Sequence, residues 1–361
     1  MRPRVEKVVI FAVLVLLTGS FFAGREVPRA AAETGAESAP RFPAIYWTEG
    51  VETADRIRRA GVEPIAVPAE NAAGWRGAGI KVVSVAKAEL ESRRKTLVPR
   101  IAGRGNVASA TRRPWIDANG WMYIRRPSGR YFAELPAGRA ALAAAEACVY
   151  QVDLLMKIEP GDLEAVGGVF SYFRSLPSGG ALTPVADLAV IEDGSDEVGE
   201  VMNLLTRRNL LFEPLARPSA KYRINIRLGS KAYPAAEAAD PSEFALKIRR
   251  QLGDEKRSLR IYGSETVFAR YSAGGGVFRL QLLNYSNSQI DGLRVRLLGA
   301  GVAGARAWAH GFGEFAPETP VQADGAAEFS IPRMKMHTMI EGRLASLDRR
   351  FGHGRTLHRD R

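Results

Sequence analysis

Two acidic residues stand where strand-like runs end, and a third lies in a Trp-flanked loop. Glu49 follows Ala44-Ile45-Tyr46-Trp47, Asp117 lies between Trp115 and Trp121, and Glu134 nearly closes Arg130-Tyr131-Phe132-Ala133-Glu134-Leu135. Acid/base cleavage of an acetal needs two carboxyl groups, one kept protonated and one ionised, about 5 Å apart for retention and roughly 6.5–9.5 Å for inversion. Glu49, Asp117 and Glu134 are therefore the candidate catalytic residues; Glu70, three residues past Val67, is a further acid of the same kind. Trp47, Trp115, Asn119 and Trp121 offer the flat apolar faces and short polar groups that a sugar ring requires. Lys157, near the end of the run Val152–Ile158, can meet a carboxylated sugar. These five form the candidate substrate-binding set.

Each of these residues also has a purely architectural reading. Glu49 precedes an amphipathic segment and can favour the amino end of that helix. Asp117-Ala118-Asn119-Gly120 has the composition of a type I turn, in which Asp and Asn bond their own backbone. Glu134 stands two residues before Pro136 and can be a first-turn acid, and Trp47 inside a strand can simply fill the core.

The elements that must position them change character along the chain. From Pro43 to Val85, strand, helix and strand alternate, with Ala54, Ile57 and Ala60 on one helical face and Gly61 at its stop, which implies a parallel sheet of βα units. Regularity is lost from the Arg-rich run through Trp115–Trp121, which reads as an irregular loop, and returns at Arg130–Leu135. The alanine-rich helix Ala137–Tyr150, a strand ending at Ile158 and a helix stopped by Pro177 follow. Residues 42–177 thus read as a (β/α) barrel-like domain. Phe42–Pro177 is 136 residues, whereas a complete barrel takes about 250. Either the barrel is partial and pared down, or Asp187–Ile191 and Leu210–Phe212 close it.

Residues 185–258 read as a doubly wound-like α/β domain. Ser195 caps one helix, and Asp240 with Pro241 and Glu243 caps another. From Leu259 the period becomes two: Phe278, Leu280 and Leu282 alternate with Arg279 and Gln281, and Leu293, Val295 and Leu297 with Arg294 and Arg296. Residues 259–342 are expected to form a small antiparallel β-sandwich, with Gly274-Gly275-Gly276 as one connecting turn. The class is α/β plus all-β.

The hydrophobic share of 46% and charged share of 25% are ordinary for a globular chain. The net charge of +12 is concentrated in the run Arg93–Arg113, which has seven basic residues and no acidic one, and in the tail at 343–361. No zinc-knuckle or RRM signature accompanies it, so no nucleic-acid partner is expected. Arg2, Arg4 and Lys7 ahead of the apolar run Val8–Leu17 read as an export signal over residues 1–23. It is either a peptide cleaved after Ser20 or Ala32, or an anchor through residues 8–23 in the inner membrane. Residues 24–41 then read as a flexible tether, 343–361 as a disordered basic tail, and the compartment as periplasmic or extracellular. The lone Cys148 forbids an intrachain disulfide, and four His without ligand spacing give no metal site; no cofactor is expected. Oligomeric state stays open, including a homo-oligomer.

Three segments resemble a known architecture: Asn284-Tyr285-Ser286 ending the strand from Leu280, the run Ile331–Ile340, and Val190-Ile191-Glu192-Asp193-Gly194-Ser195. They resemble the C-terminal portions of bacterial glycoside hydrolases of the β-galactosidase type, in which a (β/α) barrel precedes a trimerisation or amidotransferase-like α/β domain and a β-sandwich. The resemblance covers roughly Val185–Glu341 and implies a carbohydrate ligand. No catalytic motif of that family matches residue by residue, so none is carried over. The expectation is an exported glycoside-hydrolase-like protein acting on or binding carbohydrate; the alternative is a non-catalytic envelope protein that binds glycan or a protein partner.

Overall fold

A computed structural model describes residues 43–102, 114–178, 180, 182–286, 288–301 and 304–344. The export segment, the tether, the basic stretch 103–113 and the tail from 345 lie outside the described residues. Among the described residues no helix is long and apolar enough to cross a membrane.

The first part of the chain runs β1 (Ala44–Ile45), α1 (Ala54–Ala60), β2 (Ile65–Pro68), α2 (Ala72–Gly77), β3 (Val82–Val85), α3 (Lys87–Ser92) and β4 (Arg94–Lys95). A hairpin of β5 (Arg100–Ala102) and β6 (Trp115–Asp117) follows, then α4 (Gly120–Arg125), β7 (Arg130–Leu135), α5 (Ala140–Tyr150), β8 (Asp153–Ile158) and α6 (Leu163–Ser175). Ladders join β1 to β8, β8 to β7 and β7 to β4, all parallel. β2 pairs with β3, and a bridge from Tyr46 to Ala66 links β1 to β2. The result is an arc of six parallel strands, β3-β2-β1-β8-β7-β4, in chain order if its two ends are taken as neighbours. No ladder joins β3 to β4 among the described residues.

One face of the arc carries Ile45, Ile65, Val67, Leu154 and Met156 and is covered by α1, α2, α5 and α6, whose apolar stripes bury Ile57, Trp75, Ala144 and Val166. Helix α6 comes so near α1 that a β-carbon on Gly167 would overlap the Ala60 carbonyl, whereas Gly168 faces open space. Alanine ordinarily gains about 1 kcal/mol over glycine inside a helix. Gly168→Ala is therefore expected to stabilise by about 0.5–1 kcal/mol, while Gly167→Ala destabilises by about 1–3 kcal/mol through overpacking. Urea unfolding of both variants checks this, and equal shifts of one sign would contradict the packing.

The second layer is β10 (Leu188–Ile191), α7 (Asp196–Arg207), β11 (Phe212–Leu215), β12 (Asn225–Ile226) and α8 (Pro241–Leu252), preceded by the short β9 (Thr183–Pro184). The sheet is parallel, in the order β11-β10-β12. These strands pair with one another and so do not extend the arc. Both expected caps form: Ser195 Oγ accepts from the Val198 N–H at 3.2 Å, and Asp240 Oδ1 from the Glu243 N–H at 3.0 Å. The strand anticipated at Leu210–Phe212 begins only at Phe212, because the Leu210 N–H bonds back to Leu205 O at the end of α7. The doubly wound expectation is corrected. Leu188 and Val190 meet α7 and α8 on one face, while the other face holds Ala189 and Ile191 against Tyr222, with no helix in that cluster.

The third part comprises β13 (Leu259–Tyr262), β14 (Val267–Gly274), β15 (Val277–Asn284), β16 (Ile290–Leu298), β17 (Arg306–Ala309), β18 (Gly313–Phe315), β19 (Glu318–Ala323), β20 (Ala326–Met334) and β21 (His337–Arg343). They form two antiparallel sheets, β13-β16-β20-β19 and β18-β17-β21-β15-β14-β9. Gly275 and Gly276 turn β14 into β15 with φ of +59° and +78°, the left-handed pair that a tight hairpin demands. Phe278, Leu280 and Leu282 of one sheet and Leu293, Val295, Phe329 and Ile331 of the other share a single buried cluster. At the end of the first sheet β19 is exposed throughout, contains Pro320, and slips register between Glu318 and Val321.

Candidate functional site

On the face of the arc turned away from α1, α2, α5 and α6, Ala44, Ala66, Val85, Phe132 and Leu155 form a small buried floor, with Leu90 of α3 packed against it. Strand side chains alternate between faces. Two residues further on, that face therefore carries Tyr46, Glu134 and Lys157, at the carboxyl ends of β1, β7 and β8. Glu134 is directly opposite Lys157 in the parallel ladder, and the Tyr46 N–H donates to Met156 O at 2.7 Å, which sets Tyr46 beside them. Glu134 and Lys157 are exposed; Tyr46 is half-buried, its ring edge-on to Phe132 at 6.2 Å. Burial, and after it the charge of Glu70, raises the Tyr46 pKa above the ordinary phenol value. Glu49, three residues beyond Tyr46, is also exposed.

The amino ends of β7 and β8 are joined by ion pairs to α3 and the residue before β4. The Arg93 guanidinium, almost wholly buried, donates to Asp153 Oδ1 at 2.7 Å, to Tyr131 O at 3.3 Å and to Glu89 Oε1 at 3.3 Å, and Arg130 bonds the same Glu89. β7 and β8 are thus tied by charges at one end, and the exposed polar groups gather at the other.

The segment from Trp115 to Trp121 is not the loop its composition suggests. Trp115-Ile116-Asp117 is β6, paired with β5, and Gly120 begins α4. Asp117 receives a bond from Arg100 Nε at 3.1 Å across this hairpin, a setting different from that of Glu49 and Glu134. Trp115 is 38% exposed, with the Arg207 guanidinium 3.7 Å over its ring. Trp121 is half-buried, packed between the arc's core and the α/β core against α7 at Gly199.

Two of the expected contact residues are corrected. Trp47 is 1% exposed and donates from Nε1 to Thr53 Oγ1 at 2.9 Å, so no ring face is open for stacking. Asn119 is also 1% exposed, and its amide is fully engaged. Its Oδ1 accepts from the Leu97 N–H at 2.8 Å, and its Nδ2 donates to Leu97 O at 3.0 Å and to Glu146 Oε2 at 2.8 Å.

Glu146, absent from the sequence-derived candidates, is the most deeply buried carboxyl group of this region. Its Oε1 accepts from the Asn119 N–H at 2.7 Å and the Tyr285 O–H at 2.5 Å, tying α5 to the start of α4 and to the residue after β15. Burial raises its pKa, and the hydrogen bonds from Tyr285 and Asn119 pull partly the other way. Tyr285, Tyr123 and Tyr150 around it are raised too, each first by burial. Nothing of its surroundings is encoded locally; it stands in an alanine run, and its partners come from 27 and 139 positions away.

The other titratable candidates are structural. Glu192, part of the acidic turn before α7, chelates the buried Arg125 guanidinium, which also donates to Ser195 O at 2.9 Å. Burial pushes the Cys148 thiol up to about 12, which removes the thiolate a nucleophile needs. Among the described residues no group of three or more His, Cys, Asp or Glu is arranged to hold a metal ion.

No family model matches the sequence, and no curated protein does. Among solved structures the chain is similar to α-L-fucosidase isoenzyme 2 from Paenibacillus thiaminolyticus, with a TM-score of 0.47 and 9% identity over 76% of this chain and 71% of that one. It is also similar to the GH42 β-galactosidase Gan42B from G. stearothermophilus, with a TM-score of 0.35 and 8% identity over 65% of this chain, and it spans 52% of that enzyme. A xylanase of glycoside hydrolase family 30 from Clostridium acetobutylicum has a TM-score of 0.22 and 10% identity over 84% of this chain and 95% of its own.

Proposed function

We propose that this chain is an exported protein of glycoside-hydrolase-like build that binds carbohydrate, and acts on it, at the carboxyl ends of the strands in the six-stranded arc. The arc is read as a pared-down (β/α) barrel and the two antiparallel sheets as a β-sandwich. The observation that carries the reading is the side-by-side display of Glu134 and Lys157 with Tyr46 on one face, at the end where such sheets hold their ligands. A carboxylate, an ammonium and a phenol in a row can bridge neighbouring hydroxyls or a sugar carboxylate. Glu49, three residues beyond Tyr46, is the proposed second acid for bond cleavage, and Glu70, whose charge reaches Tyr46, is a further one. The alternative in which glycan is bound and not cut is favoured by the engagement of Asp117 with Arg100.

Glu134→Gln and Glu49→Gln separate these readings. If the chain is a hydrolase, release of aryl alcohol from a panel of aryl glycosides falls at least ~100-fold in one or both variants. If it only binds, the wild type releases nothing, but glycan-array binding drops about tenfold in Lys157→Ala and Glu134→Gln. Neither turnover nor binding by the wild type would refute both.

A further inference from the structure

A cavity of about 340 Å³ lies where the arc, the α/β layer and the antiparallel sheets meet, walled largely by Ile124, Val185, Leu211, Phe212, Pro214 and Tyr271. That is within the size range of small-molecule sites, which favour junctions between domains and combine apolar walls with a few polar groups. Three cations reach it, and two are neutralised: Arg125 by Glu192, and Lys221 by Glu213, the same carboxylate that Tyr222 bonds. The third is Arg270 on β14. Its Nη1 donates to Tyr150 O at 3.2 Å and its guanidinium lies 5.2 Å from the centre of the Tyr150 ring, but it has no carboxylate partner among the described residues. Burial lowers its pKa, as expected of a cation taken from water without a counter-charge. A guanidinium so placed beside an apolar hollow is a fork built for a planar oxyanion.

We propose that this cavity binds a small organic anion, a carboxylate carried on an apolar or aromatic body. The head pairs with Arg270, and the body lies against Leu211, Phe212 and Tyr271. The site is separate from the strand-end face and independent of its function.

Calorimetric titration of the full chain tests it with 3-phenylpropionate and with its neutral analogue 3-phenylpropan-1-ol. The carboxylate is expected to bind saturably, and the alcohol at least about tenfold more weakly, since a charge-assisted pair contributes that much. Arg270→Lys, which keeps the charge and loses the fork, should keep a reduced preference, Arg270→Gln should abolish it, and Ala186→Phe, which fills the hollow, should remove binding of both probes. The proposal is overturned by absence of saturable binding, by equal affinity for the two probes, or by an Arg270→Gln protein that still prefers the carboxylate. Should Arg270→Gln fail to fold, as judged by circular dichroism, the two probes on the wild type decide the matter.

Discussion

Glu146→Ala is expected to lower the free energy of unfolding by about 3–5 kcal/mol, because it leaves several buried donors without an acceptor. The Asn119 N–H, Asn119 Nδ2 and the Tyr285 O–H all point at this one carboxyl group, which is fully buried. Glu146→Gln is the informative control. Its amide oxygen can replace Oε1, but its NH2 group would face Asn119 Nδ2, donor against donor. Asn119 cannot turn over without losing both bonds to Leu97. A cost of about 1–3 kcal/mol is expected for Gln, read from urea unfolding.

The same residue sets a pH dependence. Its folded pKa is raised by burial, so the folded protein holds this proton more tightly than the unfolded chain does. That contribution is fully present below the unfolded value of about 4.3 and is lost as pH rises through the folded value. Relative to Glu146→Gln, the wild type should therefore lose stability with rising pH above about 4.3. A difference curve that is flat or rises would contradict the assignment.

His337 produces the second large effect, with the opposite sign. It opens β21, is completely buried, and is packed by Phe173 and Tyr172, the latter also edge-on to His310. The Tyr172 O–H has one proton and donates it to Trp308 O at 2.8 Å, so at its 3.0 Å contact with His337 the ring Nδ1 must be the donor. Nε2 then carries the lone pair, and it has no partner among the described residues. Protonating it would bury a charge with no acceptor, and burial drives the His337 pKa down to about 3. The unfolded chain takes up a proton near pH 6.5 that the folded protein refuses until about pH 3. Stability is full above about 6.5 and falls with pH across that window, by roughly 1.4 kcal/mol for each unit and several kcal/mol in all. His337→Phe should sacrifice about 1–2 kcal/mol at pH 7 through the lost bond to Tyr172 and then resist acid better than the wild type. Denaturant midpoints at pH 7, 5.5 and 4.5 decide it; parallel pH profiles would sink the argument.

Features written into neighbouring residues were legible in the sequence. Ser195 and Asp240 cap their helices because capping needs only three or four positions, and β7 spans Arg130–Leu135, the apolar run ahead of Pro136. The positions of Glu134 and Lys157 at strand ends came from the same local signal. What escaped depended on distant partners or on elements too short for periodicity. β6 has three residues and α4 six, and one turn and a half of helix beside an Asp-Asn-Gly sequence has the composition of a loop. An indole suits cleft and core alike; a place inside a strand favours the core for Trp47, and its packing agrees. The strand β17 has only four residues, its buried face being two alanines, Ala307 and Ala309, and the strands β18 and β19 have no buried residue and so carry little alternation to read.

That exposed last strand has a consequence for how copies of this protein can meet. A bare sheet edge is a template on which another chain can polymerise. Here Pro320 carries no amide hydrogen and the register slips between Glu318 and Val321, while at the far end of the neighbouring sheet Pro184 in β9 likewise lacks an amide hydrogen. Both rims are thus poor seeds for strand-by-strand growth. Growth of an assembly by strand pairing is therefore disfavoured along these two rims.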